Sequence, residues 1–338
     1  MNRILKFNDD VRGGFEESLD ITNEIIDSVE LLISLSFNKK TKWPKVLPKE
    51  IAPDELLERG MTPPLGITDL HKNGINGFGV KVAIIDQPLY LNHPQYAGKI
   101  VKYKDFDTNS NSSMHGPAVT SLLVGKDIGT APGAKVYYAS VPSWKADSEY
   151  YAKALDWIIE ENKLLSDKDK IRVVSVSAAP SGLGSLFKIN NDLWDISYQK
   201  ALDNDIMVLD CTKHHGIAYM GSYNILVPTE NQKVIPIVET IKNKLIVPTE
   251  PRTTAEHYEP NDPSYVYYGQ GGLSFGIPYL AGVFALAWQV NPNLKYEELI
   301  KLVFETADDY NGFKIINPKQ FINEIISLSS AHGRYAKG

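Results

Sequence analysis

The stretch that most constrains this chain is Tyr268 to Val290, YGQGGLSFGIPYLAGVFALAWQV. It opens on Gly269, Gly271 and Gly272, then places Ser274, Gly276 and Pro278 ahead of an unbroken apolar run. Glycine permits tight backbone turns, and proline sits in a helix's first turn more readily than in its middle. The reading is a tight loop, Ser274 at or beside a helix N-terminus, and a buried helix behind it. A serine there lies near unpaired N–H groups and the positive end of the helix dipole. That setting suits a nucleophile whose substrate develops negative charge. It equally suits a helix cap, for which serine is favoured without any chemistry. A base and an acid elsewhere in the chain are needed to decide.

The chain before this stretch alternates strands and helices. Val80 to Asp86 is an apolar, β-branched run ending in an acid, a buried strand with Asp86 at its C-terminal end. Short strands are expected over 99–106, 131–141, 172–177 and 206–209. Helices are expected over 118–124, 150–161 (capped by Asp147 or Ser148) and 191–203. The order predicts an α/β fold of three layers, with a mostly parallel central sheet and helices on both faces. Residues 217–267 break the pattern, and ILVPTE at 225–230 nearly repeats as LIVPTE at 245–250. A β-rich insertion is expected there. After Val290 come a helix over 293–307, an edge strand over 312–316 and a last helix over 318–328.

The first 64 residues read as an N-terminal helical extension and arm. Residues 1–14 are polar and expected to be loose. Apolar residues from Phe15 to Phe37 fit an amphipathic helix. Pro44, Pro48, Pro53 and the pair Pro63-Pro64 mark an arm. The catalytic-type domain is then 65–328, and 329–338 a flexible tail.

Composition narrows the partners. The 338 residues carry a net charge of −6, which gives no reason to expect nucleic acid or an anionic membrane. The single Cys211 forbids an intrachain disulfide. There is no signal-peptide core and no run of about eighteen apolar residues that marks a membrane span. A cytoplasmic protein is expected. Oligomeric state is not readable from the sequence.

Asp86, His115 and Ser274 each fall at a strand end or a helix start. In that combination the serine is the nucleophile, the histidine takes and returns its proton, and the aspartate orients the imidazole. The flanking residues resemble the subtilisin-type serine peptidases, the subtilases. The family's aspartate segment is matched by VAIIDQPLYLNHP at 82–94. Its histidine segment, HGTHVAG, is matched by HGPAVTS at 115–121, followed by GTAPGAKVYYASV at 129–141. Its serine segment, GTSMAxPxVAG, is matched by GGLSFGIPYLAG at 271–282, and NPNL at 291–294 and KIINPKQFI at 314–322 extend the likeness.

The resemblance implies a subtilisin-like fold and an Asp86–His115–Ser274 triad that hydrolyses a polypeptide substrate through an acyl-enzyme. It implies that Ser177, Ala178 and Ala179 line the primary specificity pocket, and that Val141, Pro142 and Ser143 border the substrate backbone, held as an added strand. His214 stands where the family places its oxyanion asparagine. A histidine N–H there would donate to the oxyanion; otherwise the site is weakened, and the scaffold would serve as a peptide-binding or regulatory module. No metal ligand set is expected, because His214-His215 and His257 show no metalloenzyme spacing. No cofactor is expected either; calcium is common in the family, but no acidic cluster here supports it.

Overall fold

The computed structural model describes residues 5–110, 113–237, 243–259 and 262–335. Its centre is a parallel sheet of five strands, β2 (Lys81–Asp86), β3 (Ile100–Asp105), β4 (Lys135–Ser140), β5 (Ile171–Val176) and β6 (Met207–Leu209). They lie in the order β3-β4-β2-β5-β6, ahead of which in the chain come α1 (Val29–Ser34), β1 (Phe37–Asn38), α2 (Pro53–Met61) and α3 (Ile67–Lys72). The chain leaves β2 for the β3 edge, returns through β4, and then crosses to β5 and β6. Its direction across the sheet therefore reverses around β2. In open parallel sheets that reversal leaves a crevice at the strands' C-terminal ends.

Alternation along the strands divides the core into layers. Val82, Ile84, Val136, Tyr138 and Val173 face one side, where α4 (His115–Val124) lies. Ala83, Ile85, Ala139, Val174 and Val176 face the other, packed on α5 (Ser148–Lys163) and α6 (Asn191–Asp203) through Leu155, Ile158, Trp194 and Ala201. Asp147 caps α5, its carboxylate accepting from the Glu149 N–H.

The 217–267 region forms β7 (Ala218–Tyr223), β8 (Val234–Pro236), β9 (Leu245–Glu250), β10 (Arg252–Glu259) and β11 (Asp262–Tyr268). The near-repeat does not become a structural repeat: LIVPTE is β9, whereas ILVPTE lies in turns. The helix α7 (Leu273–Val290) follows, then α8 (Tyr296–Glu305), β12 (Asp308–Tyr310), β13 (Phe313–Ile315) and α9 (Pro318–Tyr335). A second five-stranded sheet has the order β12-β13-β9-β7-β8, and β10, β11 and β1 form a third, antiparallel one.

Four expectations for the chain's ends and edges need correction. Residues 5–14 are not loose, since Val11 N–H donates to the Ser36 carbonyl at 2.8 Å and both Leu5 and Val11 are buried. No helix spans 15–37; only Val29–Ser34 is helical. Asp20 instead takes hydrogen bonds from the Thr22 N–H and hydroxyl, a local arrangement that competes with helix, and Ile21 and Ile26 are buried in a second core with Tyr223, Ile246 and Tyr267. The 313–315 strand is interior, because β12 covers its outer edge. Residues 329–335, expected in a flexible tail, continue α9; residues 1–4 and 336–338 lie outside the described residues.

Helix α7 organises the packing. It is long and apolar enough to cross a membrane by length and composition, yet 78% of it is buried inside this fold. A helix apolar all round must be covered all round. Residues of the central sheet (Val82, Val173), of the second sheet (Val247), of α4 (Val119, Leu123) and of α9 (Phe321, Ile325) share its cluster. Phe284 is fully buried there, edge-on to Phe321. Phe284→Ala is expected to lower stability by about 3–5 kcal/mol, read as a lower urea midpoint with an unchanged slope.

Candidate functional site

Asp86 ends β2, which places its carboxylate in the crevice at the strands' C-terminal edge. The carboxylate is buried, and Oδ1 accepts from the Gln87 N–H at 2.8 Å. The same oxygen meets His115 Nδ1 at 2.6 Å. His115 is the first residue of α4, and the turn before it is tied down by Ser113, whose N–H and hydroxyl both reach the Pro88 carbonyl. Gly116 makes this approach feasible. A Cβ there would lie 2.5 Å from the Gln87 carbonyl oxygen and 2.6 Å from the Tyr138 hydroxyl. Burial works against a charged imidazolium at His115, but the charge and hydrogen bond of Asp86 outweigh it and hold the His115 pKa above the ordinary value of 6.5.

Ser274 is the second residue of α7, whose cap is Gly272. Pro278 lies beyond the first turn, not within it. It has no N–H for the carbonyl four residues back, which belongs to Ser274. The Ser177 hydroxyl fills that place, donating to the Ser274 carbonyl at 2.8 Å. In return the Ser274 hydroxyl donates to the Ser177 carbonyl at 3.2 Å. The two serines thus tie the start of α7 to the end of β5. His115 and Ser274 line one cavity of about 450 Å³ but make no hydrogen bond to each other.

Residues 77–209 match the model of the subtilase family. That segment holds Asp86 and His115 and ends before Ser274. Over 341 aligned residues the chain is 20% identical to the subtilisin-like protease PopC of Myxococcus xanthus (strain DK1622), covering 88% of this chain and 68% of that protein. Fervidolysin of Fervidobacterium pennivorans, a keratinolytic enzyme related to subtilisin, superposes with a TM-score of 0.58 at 17% identity, over 80% of this chain and 46% of that one. The prenylagaramide maturation protease PagA gives 0.56 at 16% identity, over 77% and 98%. The chain is subtilase-like. The likeness joins a subtilase segment in the sequence to a subtilase peptidase fold in the structure.

In this subtilase-like frame the cavity gathers Asp86, His115 and Ser274 with Ser177, Ala178, Ala179 and Ser143. Val141 and Pro142 do not reach it. Both are buried, Val141 in the core beneath α5, with its N–H donating to the Asp86 carbonyl. His214 does not line the cavity either, which corrects the expectation of an oxyanion donor there. Its Nε2 lies 3.2 Å from Asp195 Oδ1 on α6, so that nitrogen is paired outside the cavity lining.

Sequence reasoning missed Gln87, Tyr151, Leu186, Phe187 and Cys211 as cavity residues. Gln87, noted only as the end of a strand, donates its amide to the Ser143 hydroxyl at 2.7 Å. Leu186 and Phe187 sit in a loop without periodicity, so no pattern marked them. Asp195, His214 and His215 form a separate group that has the donor types to hold a metal ion.

The serine pair should register as coupling. Ser177→Ala strands a half-buried carbonyl and is expected to cost about 1–3 kcal/mol. Pro278→Ala restores the helical N–H, so the cost of Ser177→Ala is expected to shrink in the double variant. Denaturant unfolding of the four proteins of the cycle measures this; strict additivity would contradict the arrangement.

Proposed function

We propose that this chain is a serine peptidase, with Ser274 as nucleophile, His115 as general base and then acid, and Asp86 as the group that orients His115. The observation that carries the reading is the 2.6 Å bond from His115 Nδ1 to a buried Asp86, with Ser274 in the same cavity. Bonded there, Nδ1 holds its proton toward Asp86 and leaves Nε2 free as the base. For attack the Ser274 hydroxyl turns from the Ser177 carbonyl to His115; catalytic hydrogen bonds often tighten only when substrate is bound. The serine oxygen adds to the scissile carbonyl as His115 takes its proton. His115 then gives that proton to the leaving amine, and water repeats the sequence to free the acid.

The Ser274 N–H, at the start of α7, supports the developing oxyanion with the helix dipole. With His214 directed at Asp195, no asparagine-like donor joins it from that position. Loss of one such donor slows acyl transfer by about 10²–10³-fold, so slow turnover is expected. Among the described residues that line the cavity only Asp86 and His115 carry charge, and Ala178, Ala179, Leu186 and Phe187 make it apolar. A substrate with an apolar side chain before the scissile bond fits it. One observation favours a second reading, a peptide-binding scaffold without turnover: the Ser274 hydroxyl is bonded to Ser177 and not to His115.

A fluorophosphonate probe separates the two. Wild type is expected to be labelled and Ser274→Ala not. An unlabelled wild type, beside a labelled control subtilase, sinks the peptidase reading. The pH profile tests the base. Activity needs neutral His115, so kcat/KM is expected to fall as pH drops through a value above 6.5. Asp86→Asn removes the attraction while burial remains, so the acid limb should move to lower pH and kcat drop by about 10⁴-fold. An unmoved limb would show that another group controls it.

A further inference from the structure

Behind the cavity wall, three side chains from two elements converge. Asp195 Oδ1 lies 2.9 Å from His215 Nε2 and 3.2 Å from His214 Nε2. All three donor atoms lie within 4.8 Å of one another. Donors about 2.0–2.1 Å from one tetrahedral ion lie about 3.3 Å apart, so the two measured edges are close to those of a coordination tetrahedron. We propose that Asp195, His214 and His215 form a binding site for a borderline divalent transition metal, zinc above all, with water at the fourth position.

The surroundings are those of a held ligand set. Oδ1 of Asp195 also accepts from the Ser181 hydroxyl at 2.6 Å, the kind of outer contact that orients a ligating carboxylate. His215 stacks on Tyr198 with ring centroids 3.9 Å apart, and its backbone N–H donates to the Thr212 hydroxyl. The neighbour of Asp195, Trp194, donates its indole N–H to buried Asp210 at 3.0 Å, which locks α6 to the 210–216 loop. Gly182 leaves room for His214: a Cβ there would lie 2.5 Å from the ring's Nδ1. Two imidazoles and one carboxylate select zinc, cobalt, nickel or copper over calcium or magnesium, which prefer all-oxygen sets. Through Ser181, the ion would brace the loop after β5, whose Ala178, Ala179 and Gly184 wall the cavity.

The inference does not rest on peptidase activity. Its test is cobalt(II) titration of the chelator-treated, full-length protein, followed by visible absorption, with zinc(II) as competitor. One equivalent per chain with a tetrahedral spectrum is expected, in wild type and in His115→Ala alike. Affinity should drop at least about tenfold in Asp195→Asn and in the double variant His214→Gln/His215→Gln. Metal-free circular dichroism checks each variant's fold. Should those variants misfold, His214→Gln alone, whose side chain is 41% exposed, carries the test. Zinc should also slow amide exchange over residues 180–186. No uptake by wild type, equal uptake by the folded His214 variant, or loss of uptake in His115→Ala overturns the proposal.

Discussion

The burial of α7 is the constraint on which the rest depends. Its residues from Phe275 to Trp288 are buried on every side, and such a helix has no solvent face to spend. Two sheets, α4 and α9 must therefore close around it. That closure brings the N-terminus of α7 to the crevice where β2 and β5 end, so Ser274 meets the elements that carry Asp86, His115 and Ser177. Packing and chemistry share one cause here: the apolar run that buries the helix also aims its first turn.

The hydrogen bonds at that first turn follow from the same covalent facts. Pro278 cannot donate, which leaves the Ser274 carbonyl unpaired inside the helix. A half-buried carbonyl needs a partner, and Ser177, the residue after β5, supplies it. The result pins the candidate nucleophile to the strand whose following loop forms the cavity wall. Asp86 is held in parallel fashion, by its own strand, by the Gln87 N–H and by His115. These bonds tie the frame together, while the Ser274 hydroxyl is a single rotor within it.

The N-terminal segment shows where periodicity misleads. Apolar positions from Phe15 to Phe37 have helical spacing, but the chain there is mostly irregular and shares a core with residues of the second and third sheets. Phe37 pairs with Tyr267 in a short antiparallel ladder and stacks on its ring at 4.6 Å. Once tertiary burial is available, an irregular segment can satisfy its apolar side chains without a helix, and Asx turns such as that of Asp20 take over its backbone bonds. The β-rich character of residues 217–267 was legible from the break in alternation and the near-repeat, yet their pairing was not. β7 and β9 pair in parallel and β10 with β11 antiparallel, and such long-range registers leave no local mark.

By itself the sequence determined the alternation of strands and helices, the buried character of α7, and the Asp86, His115 and Ser274 positions. These are carried by local signals: period, β-branching, and acid, histidine or glycine at element ends. Only the tertiary structure decided what the remaining candidate side chains face. Val141 turns into the core, and His214 turns to Asp195, because side-chain direction at a strand end or in a loop is set by neighbours distant in the chain. The rest of α6, the strand β6 and a turn separate Asp195 from the two histidines, so their convergence has no spacing to read. It depends on α6 lying beside the loop after β6, where Trp194 bonds Asp210 and Tyr198 stacks on His215.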